Sequence, residues 1–156
     1  MKTELIPIKS NEMLSAFIML KKGFLPIYFK YFDTRISPVF KTYLSFSSKM
    51  KNENSISFWI VYNGIRVGEL FLIFKEDMIH ISDLFVLKKY QNNGIAQYVI
   101  NSVHSKYSDY KYWHLFTIKQ EKANCHLYEK LGYTQTGFER KINKRMTLVE
   151  YERRND

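Results

Sequence analysis

Gln91-Asn92-Asn93-Gly94-Ile95-Ala96 is the stretch of sequence that gives the most information about the fold of this chain. It follows an apolar run, Ile79 to Leu87, and it opens a segment with apolar residues at helical spacing. The predicted order is therefore strand, tight loop and helix, with a glycine where the backbone can approach a ligand. The first turn of a helix leaves N–H groups unpaired and carries the positive end of the helix dipole, so this loop suits phosphate oxygens.

Upstream of the loop, the pattern is typical of antiparallel strands. Segments 57–62 and 66–74 flank Asn63-Gly64, and Asn-Gly between two apolar runs is the strongest short-range indication of a two-residue hairpin. Asp77-Met78 indicates a second turn before the strand that leads to the glycine loop. We therefore predict an antiparallel meander of three strands.

The first third of the chain is predicted to be mainly helical. Ser10 or Asn11 can cap a helix whose apolar residues recur at helical spacing. Gly23 is expected to end this helix, and Pro26 is expected to begin a second helical stretch. The polar residues 47–55 are expected to form a loop.

Beyond the loop, the pattern alternates between helix and strand. The helix that begins near Gly94 is followed by a bulky strand at 112–117, a helix at 121–131 and a last strand at 146–151. The strand before the loop should run parallel to strand 112–117 through a right-handed crossover. We therefore predict one α+β domain over residues 1–156, with a mixed, mostly antiparallel sheet flanked by helices.

Composition limits the classes of protein to which this chain can belong. Its 156 residues are enough for one domain with a substantial core. The single cysteine, Cys125, excludes an internal disulfide and a cysteine-based zinc site, and the four histidines lack metal-ligand spacing, so no metal is expected. We expect no signal peptide and no membrane span, and therefore a cytoplasmic protein.

The net charge of +9 makes nucleic acid a partner to consider. The basic residues are spread along the chain without a run of five or more, whereas nucleic-acid-binding surfaces need clustered lysine and arginine. A solvated basic surface is the favoured interpretation, and it also suits an anionic cofactor. We expect no nucleic acid partner, although a basic nucleic-acid-binding protein stays an alternative.

Two acidic residues in otherwise apolar strands are candidates for a general base. Glu69 lies on the predicted meander and Asp83 on the strand before the glycine loop, where burial could raise the pKa of a carboxyl group towards neutrality. Alternation along the strand places Asp83 and Phe85 on one face and Leu84 and Val86 on the other. A solvent-facing carboxylate is the competing interpretation for each, and water could also take the proton.

A second motif lies downstream, Leu127-Tyr128-Glu129-Lys130-Leu131-Gly132-Tyr133. Together with the glycine loop, it resembles the GNAT superfamily of acyl-CoA-dependent N-acetyltransferases, and the similar layout covers nearly the whole chain. The family's loop pattern, Gln/Arg-x-x-Gly-x-Gly/Ala, is matched in full by Gln91 to Ala96. The downstream motif is similar to the family's Tyr-x-x-x-Gly-Phe/Tyr segment. The resemblance implies a twisted sheet whose central strand pair is splayed.

The resemblance also implies acetyl-CoA as the cosubstrate and a set of residues around it. Backbone groups next to the splay would bond the pantetheine arm like an added strand, and the loop N–H groups would bind the diphosphate. The predicted cofactor-binding residues are Leu84, Phe85, Val86, Gln91, Asn92, Asn93, Gly94, Ile95, Ala96, Gln97, Asn124 and Lys130.

Tyr128 would protonate the thiolate of CoA as it leaves, by the same resemblance. An aromatic residue on the apolar face of an amphipathic helix is the competing interpretation for this tyrosine. Many family members have an asparagine seven residues before it, where this chain has Glu121. Asn124 lies one turn before Tyr128, and we expect it to replace that asparagine because residues i and i+4 share a helix face.

We therefore expect an enzyme that moves an acetyl group from acetyl-CoA to an amine by direct attack. Its acceptor pocket is expected between residues 20–55 and the C-terminal strands, where aromatic side chains suit a small amine. A peptide N-terminus, a lysine, an aminoglycoside, a polyamine and an amino acid all stay open as acceptors, and so does homodimerisation. A non-catalytic CoA-binding or regulatory module on the same fold is the main alternative.

Overall fold

The computed structural model describes residues 2–156, in which seven strands form one sheet with helices on both faces. The strands are β1 (Thr3–Pro7), β2 (Ser55–Tyr62), β3 (Ile65–Lys75), β4 (Met78–Val86), β5 (Tyr112–Ile118), β6 (Thr134–Lys141) and β7 (Thr147–Arg154). They lie in the order β1-β2-β3-β4-β5-β7-β6, and all neighbours are antiparallel except β4 and β5. The predicted mixed, mostly antiparallel α+β fold is confirmed.

In residues 2–156, four α-helices cover the sheet. They are α1 (Met13–Tyr31), α2 (Tyr43–Lys51), α3 (Ile95–Lys106) and α4 (Lys122–Lys130). Apolar side chains of α3 and α4 pack on one face of the sheet, and those of α1 and α2 pack on the other. Each fully buried aliphatic or aromatic side chain contributes roughly 1.5–3 kcal/mol, so both faces stabilise the fold. None of these helices, within residues 2–156, is long and apolar enough to cross a membrane.

The predicted meander is present as β2, β3 and β4. Its first turn is Asn63-Gly64, with φ angles of 51° and 80°, which are the left-handed values that a type I′ turn requires at both positions. Because this requirement is local, the dipeptide was sufficient to predict the turn.

Helix α1 continues through Gly23 and Pro26, so the prediction that Gly23 ends it is wrong. A Cβ atom on Gly23 would lie 2.2 Å from the ring of Phe85, which means that glycine lets α1 lie directly against β4. Pro26 removes one helical hydrogen bond. The burial of Ala16, Phe17 and Leu20 against the sheet stabilises the helix in spite of this loss.

Two further elements differ from the predictions. Helix α2 occupies part of the stretch predicted as a loop; Thr42 caps it by accepting the Ser45 N–H at 3.1 Å, and Phe46 anchors it in the core. Strand β6 was not predicted, because all eight of its residues are exposed at the edge of the sheet and give no alternating apolar pattern.

A β-bulge at Ser82 shapes the centre of the sheet. Between β3 and β4 the register passes from Leu72 opposite Ile81 to Phe71 opposite Asp83, which leaves Ser82 as the extra residue. Strand β4 pairs with β5 only from Met78 to Ile81, and the two strands separate beyond that point. The bulge therefore coincides with the start of the splay between β4 and β5, and the splayed central pair is confirmed.

Candidate active site

A cleft at the splay consists of two cavities that meet between β4 and α4. The loop-side cavity has a volume of about 480 Å³ and reaches the glycine loop. The strand-side cavity has a volume of about 240 Å³ and lies among β4, β5 and the segment after α1. The residues that line both cavities are Phe24, Ile27, Leu84, Glu121, Asn124 and Tyr128.

The glycine loop presents unpaired backbone donors to the loop-side cavity. Asn92 and Gly94 both have left-handed φ angles, 63° and 72°, and Gly94 occupies the N-cap position of α3 without a side-chain cap. Among residues 2–156, no acceptor bonds the N–H groups of residues 92 to 97. A row of free N–H groups at a helix start is suited to an anionic ligand.

Side chains of the loop hold its shape. The Gln91 amide donates to the carbonyl oxygen of Val86 at 2.8 Å, which ties the loop to the end of β4. The Asn93 amide donates to the carbonyl oxygens of Tyr90 and Gln91, at 3.0 and 3.2 Å. The carboxamides of Gln91 and Asn93 are thus engaged within the protein, and the loop offers its backbone to a ligand.

The end of β4 provides a second backbone surface. Leu84, Phe85 and Val86 all line the loop-side cavity, as do Gly94, Ile95, Ala96 and Gln97. No strand in the described chain pairs with the β5-facing edge of β4 after Ile81. An extended chain in the cleft can therefore lie beside this edge in the manner of an added strand.

Tyr128 lies at the junction of the two cavities. Only 8% of its surface is exposed, and its ring lies 5.8 Å from that of Tyr133 and 6.1 Å from that of Tyr151. Burial, with a smaller effect from Cys125, raises the pKa of Tyr128 to about 12. No described side chain hydrogen-bonds to its hydroxyl, which is protonated at neutral pH and free to donate to a ligand.

Asn124 and Lys130 occupy different positions relative to the cleft. Asn124 lines both cavities, one helical turn before Tyr128. Lys130 lines neither cavity, and its ammonium donates to Oε1 of Gln97 at 3.2 Å. Lys130 thus links α4 to the start of α3.

The carboxylate of Glu121 forms an ion pair with Lys30 of α1. Its carboxylate accepts hydrogen bonds from Lys30, at 2.5 Å, and from the hydroxyl of Tyr31. Burial alone would raise the pKa of Glu121, but the bonds from Lys30 and Tyr31 hold it below the ordinary value. Its negative charge beside the loop-side cavity is therefore offset by an ammonium that lines the same cavity.

The two candidate bases lie in different surroundings. Asp83 lines the strand-side cavity, where its carboxylate is 2.5 Å from the ammonium of Lys49. Glu69 lines neither cavity, is fully buried opposite Phe85, and has no described hydrogen-bond partner for either oxygen. Burial, with a smaller effect from Asp83, raises the pKa of Glu69 to about 9.

The aromatic residues expected at the acceptor pocket are only partly gathered there. Phe24 and Tyr28 line the strand-side cavity, whereas Phe29 and Phe32 are exposed and Phe46 is in the core. Other lining residues belong to segments that were predicted to lie at the pocket or at the splay, although these residues were not predicted individually; among them are Asp33, Phe116 and Thr117. An acidic residue directly after a helix was the available indication for Asp33.

His114 belongs to a chain of polar contacts outside the cleft. Its Nδ1 lies 2.7 Å from Nδ1 of His80, and its Nε2 lies 3.0 Å from the carboxylate of Glu150. Burial, followed by the charge of His114, lowers the pKa of His80 to about 4. Within residues 2–156, no group of three or more potential ligands is arranged to hold a metal ion.

Comparison with known proteins gives one family and many similar structures. A family model described as an acetyltransferase (GNAT) domain matches residues 30–154. Comparison with curated proteins found no match. The chain is similar in structure to the ribosomal-protein-S18-alanine N-acetyltransferase from Escherichia coli, with a TM-score of 0.77 and 12% identity, over 99% of this chain and 95% of that one.

Two other similar structures were solved with coenzyme A. The spermidine N-acetyltransferase from Vibrio cholerae, in complex with CoA and spermine, has a TM-score of 0.75 and 14% identity over 98% of this chain and 95% of that one. The PaiA N-acetyltransferase from Thermoplasma acidophilum, in complex with coenzyme A, has a TM-score of 0.74 and 10% identity over 99% of both chains. At sequence identities of 10–14%, these similarities show a shared fold and no more.

Proposed function

The chain belongs to the GNAT acetyltransferase family, and from this premise we propose that it transfers the acetyl group of acetyl-CoA to an amine by direct attack. The observation that carries this proposal is the cleft in which two cavities meet at Tyr128. One cavity offers backbone donors to a phosphate-bearing cosubstrate, and the other shares Tyr128 and five further lining residues with it. Donor and acceptor can therefore meet without a covalent enzyme intermediate.

The loop-side cavity fits acetyl-CoA. Its free N–H groups suit the diphosphate, and the edge of β4 suits the amide-bearing pantetheine arm. Lys30 and Lys88 line the same cavity and add positive charge. CoA or acetyl-CoA is also present in similar structures, including the Vibrio cholerae and Thermoplasma acidophilum enzymes.

Tyr128 stabilises the leaving group in this proposal. As the amine nitrogen bonds to the acetyl carbon, the carbon–sulfur bond breaks and the sulfur keeps the electron pair. The Tyr128 hydroxyl donates a hydrogen bond to that sulfur, and the new amide loses its extra proton to a base. A thiol ordinarily has a pKa of about 8.5, so the Tyr128 phenol, with its pKa of about 12, supports the thiolate chiefly as a hydrogen-bond donor.

Asp83 is better placed than Glu69 to receive the proton from the amine. Asp83 lines the cavity from which the amine would approach, whereas Glu69 lies outside both cavities. The ion pair with Lys49 orients the Asp83 carboxylate. A water molecule between the amine and Asp83 is the other route for this proton.

A panel of amines tests the proposed function directly. Purified protein is incubated with acetyl-CoA and each amine, and free thiol is measured against controls without amine and without protein. We expect at least one primary amine to increase thiol release and to yield its N-acetyl product by mass spectrometry. If acetyl-CoA binds but no amine is acetylated, the non-catalytic binding module is the better description.

Replacement of Gly94 by valine is expected to weaken acetyl-CoA binding at least tenfold while the protein stays folded. A β-branched residue is strained at the φ angle of 72°, so the loop must shift from the conformation that presents its N–H groups. Gly137→Val is the matched control, because Gly137 also has a positive φ angle, 95°, and open space around it, but lies on the exposed strand β6. Calorimetry should show weaker binding for Gly94→Val only; equal affinity in both folded variants would contradict the role of the loop.

A further inference from the structure

We propose that Asp33 binds a second cationic group of the acceptor, which makes the acceptor a small diamine or the end of a longer polyamine. This inference rests on the proposed function, since it names the class of amine that enters the strand-side cavity. Asp33 follows α1, directly after Phe32, whose φ angle of 52° turns the chain out of the helix. Only 3% of its surface is exposed, and it lines the strand-side cavity.

One oxygen of Asp33 is engaged and the other is free. Oδ1 accepts the N–H groups of Arg35 and Ile36, at 2.8 and 3.2 Å, so the turn fixes the orientation of the carboxylate. Oδ2 is buried and has no hydrogen-bond partner in the part of the chain that the structure describes. A buried carboxylate oxygen is unfavourable without a donor, so a donor brought by the ligand would stabilise it.

Three cations near the cavity are bonded to other groups. Lys30 donates to Glu121, Lys49 donates to Asp83, and the guanidinium of Arg35 donates to the carbonyl oxygen of Ile142 at 3.3 Å. None of these groups is bonded to Asp33 in the structure. The free oxygen of Asp33 therefore has no hydrogen-bond or ion-pair partner in the part of the chain that the structure describes.

The lining of the strand-side cavity has the opposite charge from the chain as a whole. The full sequence carries a net charge of +9, yet the described residues that line this cavity include Asp33, Asp83 and Glu121 and no lysine, arginine or histidine. Lys49 and Lys30 offset the charges of Asp83 and Glu121. Among these three carboxylates, Asp33 is the one that has no ion pair with the described residues.

The size and walls of the cavity narrow the ligand further. A volume of about 240 Å³ lies below the roughly 300–1,000 Å³ that is typical of pockets for drug-sized ligands. Tyr28 and Phe116 provide aromatic surfaces in the same lining, and such surfaces attract an ammonium group. A short aliphatic chain with an ammonium at one end and the reacting amine at the other fits the small volume, the aromatic walls and the free oxygen of Asp33.

The closing experiment compares 1,4-diaminobutane with butylamine, which has the same chain length and lacks the second charge. For the wild-type enzyme, kcat/KM is expected to be at least tenfold higher with the diamine. Asp33→Asn keeps an oxygen for the turn and removes the charge, so it should reduce this preference at least tenfold. Asp109→Asn, the same change at an exposed position, is the control and should retain the preference.

A second variant covers the case in which Asp33→Asn fails to fold. Ile36→Lys, at a lining position that is 36% exposed, brings a competing ammonium into the cavity and should also reduce the preference for the diamine. Binding of the diamine to the CoA complex is measured in parallel by calorimetry. Equal use of both amines by the wild type, or an unchanged preference in both variants, would overturn the inference. If no amine turns over and the diamine still binds through Asp33, the proposed function fails and the site assignment stands.

Discussion

Replacement of Tyr128 by phenylalanine is expected to lower kcat by about 10²–10³-fold, the usual loss when one hydrogen-bond donor to a developing negative charge is removed. The affinity for acetyl-CoA should change by less than about threefold, because the ring that lines both cavities remains. The hydroxyl has no described hydrogen-bond partner in the protein, so its removal leaves no internal group unpaired. The loss should therefore fall on the chemical step.

The pH dependence of kcat gives an additional check on Tyr128. Burial raises the pKa of this phenol to about 12, so the hydroxyl stays protonated throughout the neutral and moderately alkaline range. Ionisation of Tyr128 should thus cause no decline in kcat below about pH 10.

Tyr151→Phe is the matched control for this experiment. Tyr151 is fully buried near Tyr128, and its hydroxyl contacts Gln135 and Glu129 outside both cavities. Single-turnover kinetics on both variants should show a slow acetyl-transfer step for Tyr128→Phe and a nearly normal one for Tyr151→Phe. If Tyr128→Phe keeps the wild-type kcat with a good acceptor, the Tyr128 hydroxyl has no catalytic role and the residue serves only in packing.

Glu69→Gln is expected to stabilise the protein strongly at alkaline pH. Burial raises the pKa of Glu69 from 4.5 to about 9, so the folded protein keeps this carboxyl protonated while the unfolded chain ionises it. In the wild type, Glu69 therefore makes its full contribution to the free energy of unfolding below pH 4.5. This contribution is lost progressively as the pH rises to about 9. The loss amounts to about 1.4 kcal/mol for each pH unit in this window.

The free energy of unfolding should be measured for wild type and Glu69→Gln at several pH values. The two proteins are expected to be similar near pH 4, and the variant should be more stable by about 3 kcal/mol at pH 7. Glu53→Gln, the same change at an exposed position, controls for the general effect of removing a charge. Parallel stability curves for wild type and Glu69→Gln between pH 4 and 9 would show that Glu69 is not protonated in the fold.

Much of the fold could be predicted because its determinants are local. Asn63-Gly64 requires left-handed backbone that few other dipeptides adopt, and it defines the first hairpin. Gly94 marks the start of α3, where the φ angle of 72° favours glycine. The helical and alternating patterns between these turns then predict most of the elements, and the helix between β4 and β5 is the crossover that lets these two strands pair in parallel.

The glycine loop and Tyr128 were predicted as site residues from sequence on different grounds. A loop between a strand and a helix places its N–H groups at the helix start, whatever the rest of the chain does. The resemblance of the motif that contains Tyr128 to a family motif added a role that the residue type alone did not indicate. Both features line the cleft in the structure.

Tertiary structure alone decided the surroundings of the other residues. Gly23 looked like a helix end because the close approach of Phe85 lies 62 positions away along the chain. Similarly, Glu69 and Asp83 looked equivalent as acidic residues in apolar strands. Only the packing of α1 and α2 on the sheet buries the first and pairs the second with Lys49.

The free oxygen of Asp33 is the clearest case of this kind. Its burial, and the bonding of nearby cations to other groups, depend on the simultaneous positions of α1, β4, β5 and the segment between α1 and α2. Local sequence determines backbone conformation because sterics and hydrogen bonding act over a few residues. Charge compensation and desolvation depend on every group within several ångströms, so only the folded chain decides them.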